Sequence, residues 1–269
     1  MAYNVSSEFP PGYDGTAILK RLDLVLDPEL DESILRLGFV RSVQVRDSQA
    51  VVMLQLPTSW CATNFAYMMA DDARQALLEV EGIQRVTVRL GDHCAAEEIE
   101  AAVNDGRPFA TAFPGMGAAD LSALRLTFLR KGFLVRQERL LRSLRAAGCS
   151  SAMICGLRLW DVSVRDGIVL AELSGAAPVE IGPAEVLRHY LDRRAELGLD
   201  CTCSAPLIVD TEGRPLPAEQ LERHYQDARM VRVSLEANGS FCRAMLAGRR
   251  ADAANLSSRA IGGGVHVQP

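Results

Sequence analysis

The stretch from Val51 to Leu90 constrains this chain more than any other. An apolar run, Val51 to Leu56, reads as a strand and is followed by the corner Thr58-Ser59-Trp60-Cys61. A helix is predicted over about Ala62 to Val80, where Phe65, Met69, Ala73, Leu77 and Val80 recur at helical spacing. Ile83 to Leu90 then alternates Val86, Val88 and Leu90 with Arg85, Thr87 and Arg89, the pattern of a strand with one wet face. A strand, helix and strand in that order close as a right-handed crossover, so the two strands run parallel and end on one edge of the sheet. A further strand, about Phe39 to Val45, enters through the turn Asp47-Ser48-Gln49 and therefore starts at that same edge. Connectivity alone thus predicts that Cys61, the Gly38 corner and Asp92-His93-Cys94 share one rim.

Upstream, residues 1 to 13 carry Pro10-Pro11-Gly12 and read as a loose leader. Asp14 or Thr16 is positioned to cap a helix over about Ala17 to Leu26, which Asp27-Pro28 ends, because the residue before proline is pushed out of the α region. A second short helix is predicted over Glu29 to Leu37, stopping at Gly38. Cys61 falls between a strand and a helix, where free backbone N–H groups and the helix dipole favour thiolate over thiol, which makes it a candidate metal or sulfur ligand. The bland alternative is a small residue packing that corner. Thr58 supports either role by capping the helix. Asp27 and Glu29 suit a pair of metal or proton acceptors, but acids at a helix start are also a structural device, and that reading is preferred.

The boxes Asp27-Pro28-Glu29-Leu30, Leu37-Gly38-Phe39-Val40 and Thr58-Ser59-Trp60-Cys61, in that order, resemble the small iron-sulfur cluster assembly domain family. Its members include cytosolic iron-sulfur targeting factors and the assembly subunit of phenylacetyl-CoA oxygenase. The resemblance spans about Ile18 to Leu90 and implies a ligand role for Cys61 toward an iron-sulfur cluster or iron, held transiently. It also implies a client metalloenzyme and other iron-sulfur assembly proteins as partners. Where the family commonly has Pro-Gly before this cysteine and Pro after it, this chain has Ser59-Trp60 and Ala62.

A chain of 269 residues leaves room for more than one such domain. The expected organisation is α+β: an N-terminal helix-strand-strand-helix-strand domain over 14–92, a helical connector over 93–148, a C-terminal α+β domain over 149–250 and a flexible tail over 251–269. The predicted helix from about Ala119 to Ala147 is rich in arginine and could dock an acidic partner. Lys20 and Lys131 are the only lysines among 29 basic residues, however, so arginine here reflects coding bias and a bacterial source. Net charge of -5 argues against nucleic acid as a partner, and no apolar run approaches the length of a membrane span. The start lacks a signal-peptide pattern, which places the expected location in the cytoplasm, where seven cysteines are reduced. A homodimer is left open.

His93 and Cys94 add an imidazole and a thiol to the predicted rim, a pair that suits iron or zinc. Adjacent side chains rarely chelate one ion, so one of the two is expected to be a bystander. Cys201 and Cys203, alone or with Cys242, form a weaker zinc candidate, and Cys149, Cys155 and Cys242 read as core. No Walker loop, dinucleotide turn, nucleophile elbow or His-Glu-x-x-His is present. The expected function is therefore a non-enzymatic accessory factor for an iron centre, with an oxygenase client, such as a di-iron monooxygenase, by analogy. The alternatives are a thiol-dependent enzyme using Cys61 and His93, and a metal-free adaptor.

Overall fold

The crossover is present in the computed structural model, which describes residues 5–115, 121–173 and 177–262, with side chains through 252. The chain divides into two compact units, residues 1–121 with 237–269, and residues 122–236. In the first unit β1 (Ser6–Glu8) is followed by α1 (Gly15–Asp23), the short β2 (Leu26–Asp27) and β3 (Glu32–Ser33), then β4 (Val40–Arg46) and β5 (Gln49–Gln55). The helix α2 (Thr63–Leu78) crosses to β6 (Arg85–Gly91), and α3 (Ala96–Asn104) and α4 (Phe109–Ala112) complete the run. The sheet order is β1-β4-β5-β6, with β4 antiparallel to β5 and β6 parallel to β5. Val52 and Leu54 of β5 and Val86, Val88 and Leu90 of β6 are buried, packing with Ala66, Met69, Ala73 and Leu77 of α2, while Arg85 and Arg89 stay on the wet face.

Several local expectations are revised. Ser6–Glu8 pairs in parallel with β4, so part of the expected leader is a strand. Asp14, not Thr16, caps α1, accepting from the Thr16 N–H at 2.8 Å. The helix expected over Glu29–Leu37 is instead a two-residue hairpin, β2 with β3, followed by turns. The Asp27 carboxylate accepts from the N–H groups of Glu29 and Leu30, and Asp31 adopts φ 53°, closing the hairpin where a helix would continue. Ser33 Oγ then accepts from Leu35 N, and Gly38 at φ 77° turns the chain into β4.

The first part of the expected connector belongs to the sheet. β6 is an edge strand, and α3 covers that edge: Asn104 accepts from Val88 N at 2.8 Å and donates to Val88 O at 3.0 Å, while Glu100 accepts from Leu90 N at 2.8 Å. Side chains thus replace a missing neighbour strand and blunt an otherwise adhesive edge. Phe109 and Phe113 pack into the same core.

The second unit holds most of α5 (Leu121–Ala146), then α6 (Ser151–Gly156), a three-stranded antiparallel sheet of β7 (Val162–Arg165), β8 (Ile168–Ala171) and β9 (Val179–Pro183), and α7 (Ala184–Glu196). The hairpin turn at Asp166-Gly167 is where the sequence puts it, and both residues have positive φ, as a tight two-residue turn requires. The strand expected at Ala205–Val209 forms only isolated bridges. Its carbonyls are taken by buried side chains: Tyr190 donates to Leu207 O, Gln137 to Val209 O, and Arg194 to Pro206 O and Leu207 O. Val231–Leu235, expected as a strand, lies inside α8 (Leu221–Gly262), a helix of 42 residues. That helix also occupies 251–262 of the expected tail, and residues 263–269 lie outside the described residues. Among the described residues no helix is long and apolar enough to cross a membrane.

The edge cover on β6 gives a direct test. Replacing Asn104 by Ala leaves the Val88 N–H and C=O without their partner and is expected to cost about 1–2 kcal/mol. Urea denaturation, with hydrogen exchange read at Val88, checks it; a stability equal to wild type would assign the edge protection to Glu100 alone.

Candidate functional site

The C-terminal ends of β5 and β6 lead directly into the rim that holds Cys61. The β5–β6 register, from Gln49 with Arg85 to Gln55 with Gly91, fixes both exits at one level. The corner after β5 is tied to the loop after β6 by two bonds: Cys94 N donates to Ser59 O at 2.7 Å, and His93 Nε2 lies 2.7 Å from the Cys61 carbonyl oxygen. Because a carbonyl only accepts, His93 Nε2 carries the proton. Its Nδ1 accepts from Ala95 N at 3.1 Å. Both nitrogens of this buried imidazole are therefore engaged, and His93 pins the Cys61 backbone in place without a lone pair to offer a metal or a proton. Cys94 reaches the rim through its backbone, with its side chain exposed.

Cys61 is half-buried, one residue before Ala62, the N-cap of α2. Ala62 contributes no side-chain cap, and Thr58 makes no such bond either, so the expected capping role of Thr58 is not realised. The expectation of a thiolate is reversed. Burial, reinforced by the negative charge of Asp27 and by Cys242, pushes the Cys61 thiol up to about 12, against a single favourable backbone N–H from Ala62. Desolvation outweighs the dipole because an unpaired charge loses more on leaving water than one helix end returns.

The charges of Asp27 and Glu29 act on the ionisation of both Cys61 and Cys242. Asp27 is 6% exposed, and burial raises its carboxyl to about 6 despite the two backbone N–H groups it accepts from. It shapes the hairpin, in place of the helix start expected from the sequence, and its carboxyl titrates closer to neutrality than a solvated aspartate. Among the described residues no group of three or more His, Cys, Asp or Glu side chains converges to hold a metal ion. Cys61, His93 and Cys94 do not form a ligand cage.

Sequence reasoning missed one wall of the site. Beyond residue 236 α8 belongs to the first unit, where Cys242 packs against the core and Leu246 is buried in it. Arg249 donates to Leu56 O at 2.7 Å, and to Ser59 Oγ and Asp92 O at 3.3 Å. The available signal was the absence of proline between Pro217 and Pro269, which permits one long helix.

Residues 16–90 match the family described as iron-sulfur cluster assembly protein. An uncharacterized protein of Methanocaldococcus jannaschii is 32% identical over 83 residues, which cover 30% of this chain and 85% of that protein. The chain belongs to the iron-sulfur cluster assembly protein family. The match runs from α1 through β6 and leaves out β1, the outer strand paired with β4. The long α8 and the whole second unit lie outside it.

Other sequence candidates fall largely in the second unit. Cys201 and Cys203 are exposed in the second unit, whereas Cys242 belongs to the first. Cys149 is buried and Cys155 half-buried in the second core. The basic face of α5 is largely taken up by its own unit: Arg145 pairs with Glu222, Arg139 with Glu236 and Arg130 with Glu212, and Arg136 donates to His189 O.

Asp27 makes the site's pH response predictable. Its folded-state pKa is raised, so the folded protein holds the proton more tightly than the unfolded chain, and stability falls as pH rises from about 4 to about 6. Asp27→Asn keeps the acceptor oxygen and removes the charge. It is expected to flatten that part of the profile and to stabilise the protein at pH 7 by roughly 2–3 kcal/mol. Denaturation of both proteins at pH 4 and pH 7 reads it: a variant that gains nothing at pH 7 relative to pH 4 would mean that Asp27 is solvated.

Proposed function

We propose that this protein is a non-enzymatic accessory factor that assembles or delivers an iron-sulfur or other iron centre to a client enzyme, with the metal as cargo. The observation that carries the reading is the position of Cys61, within the family-matched segment, at the strand-to-helix corner where the charges of Asp27 and Glu29 act on its ionisation. Ferrous iron binding there exchanges the S–H bond of Cys61 for an S–Fe bond and releases one proton. Asp27, poised near neutrality, is suited to take that proton. No oxidation is involved.

A multicomponent di-iron oxygenase is the client suggested by analogy with the oxygenase-linked members of the family. The rival thiol-dependent enzyme draws little support from the site, because its intended base, His93, has both ring nitrogens occupied and its nucleophile is held as a thiol. A metal-free adaptor would need none of the thiol chemistry.

Cys61→Ala is expected to leave folding nearly intact, with a cost of about 1 kcal/mol or less. In cells co-expressing a di-iron hydroxylase component, it should lower iron per hydroxylase several-fold, whereas Cys155→Ala should not. Iron analysis of the purified hydroxylase, paired with thermal denaturation of the accessory protein, reads the outcome. Equal iron in all three strains would remove Cys61 from metal handling, and a defect that tracks lost stability would favour the adaptor.

A further inference from the structure

The segment of α8 that packs on the assembly domain does so by one narrow seam. Gly239, Cys242, Leu246, Arg249 and Arg250 recur at helical spacing, and between residues 237 and 252 these are the positions that lose exposure. Cys242 packs against the core, and the other four meet the β2–β3 hairpin, the Gly38 corner or the loops after β5 and β6. Gly239 lies against Glu32 of the β2–β3 hairpin, close enough that a Cβ there would sit 3.6 Å from its carboxylate. Arg243 pairs with the same Glu32 at 2.7 Å. Leu246 inserts into the core beside the Gly38 corner, whose carbonyl accepts from Arg250. Arg249 closes over the corner after β5 and the loop after β6 by way of Leu56, Ser59 and Asp92.

Two features of this seam distinguish a cover from an ordinary core helix. Its apolar content is a single fully inserted side chain, Leu246, while Phe241 and Met245 remain exposed on the other side. The remaining grip comes from arginines on backbone carbonyls and on the Ser59 hydroxyl, and from two ion pairs, Arg243 with Glu32 and Arg249 with Asp92, polar bonds that water can replace at modest net cost. Segments held by few buried apolar contacts open locally at a fraction of the global stability. Because the segment lies outside residues 16–90, the cover belongs to this chain's own extension and not to the matched domain.

We propose that residues 239–250 of α8 form a latch that covers Cys61 and lifts to let the thiol receive or release its cargo. The latch's place in iron transfer rests on the function proposed above; the covering itself does not. Lifting moves Cys242 and Arg249 away from the corner that carries Cys61 and opens the thiol to water and to reagents dissolved in it. A client that competes for the seam would couple its own docking to exposure of the thiol.

The test uses the full chain without metal. Iodoacetamide labelling at pH 8 is followed by peptide mass spectrometry at Cys61, with Cys149 in the second unit as internal reference, in wild type, Arg243→Ala/Arg249→Ala and Leu246→Asp. Hydrogen exchange over 239–250 is measured in parallel. In both variants exchange in the segment should accelerate and Cys61 should label at least tenfold faster, with Cys149 unchanged. Cys61 labelling at the wild-type rate in both variants overturns the proposal, whatever the helix does. An equal acceleration at Cys149 also counts against it, since that marks general loosening and not a lifted cover. Failure of the iron-loading experiment with a positive labelling result would reject the metal function while leaving the latch in place.

Discussion

The parallel pairing of β5 with β6 is the constraint on which the site depends. Seven residue pairs in unbroken register place the exits of both strands side by side, so the corner that carries Cys61 and the loop that carries His93 leave the sheet at one edge. The pairing leaves β6 without an outer neighbour, which α3 repairs with Asn104 and Glu100. It also sets the corner after β5 against the loop after β6, where the bond between His93 and the Cys61 carbonyl can form. A one-residue slip would move the buried valines to the wet face and separate these loops, so the geometry of the rim inherits its precision from the packing of the sheet.

At the rim two opposing electrostatic effects act on one sulfur atom. A helix start favours thiolate; burial beside Asp27 and Cys242 favours thiol, and burial prevails. The same burial lifts Asp27 toward neutrality. Burial thus holds Cys61 as a thiol, which suppresses stray thiolate chemistry, while Asp27 becomes available as a proton acceptor as the pH passes through about 6. The stability lost by burying Asp27 is the kind of local cost that functional sites carry.

The C-terminal helix changes what the assembly domain presents. Its seam of Gly239, Cys242, Leu246, Arg249 and Arg250 supplies a wall, a second thiol and a set of carbonyl contacts that the matched segment lacks. The second unit has its own core and its own buried polar lattice, in which Gln137, Tyr190 and Arg194 hold the carbonyls of the 206–209 stretch. In the apolar run Ala205–Val209 the carbonyls of Pro206, Leu207 and Val209 go to side chains, while Ala205 O and Leu207 N bond the backbone of Leu159 and Leu157, so the run makes isolated bridges in place of a sheet strand.

The sequence by itself determined the crossover, the one-wet-face sheet, the position of Cys61 at the strand-to-helix corner and the shared rim with His93 and Cys94. Those follow from periodicity and connectivity, which are local or topological properties and are written in the order of residues. It also carried the family boxes. What tertiary structure decided was the state of the groups on that rim. Burial set the protonation of Cys61 and Asp27, the second bond to Ala95 N turned His93 from a candidate base into a pin, and Asp27 with Asp31 folded Pro28–Leu30 into a hairpin turn where composition allowed a helix. Cys242 and Arg249 reached the site from about 190 residues away. Desolvation and long-range contact depend on which surfaces meet, and no spacing along the chain encodes that meeting.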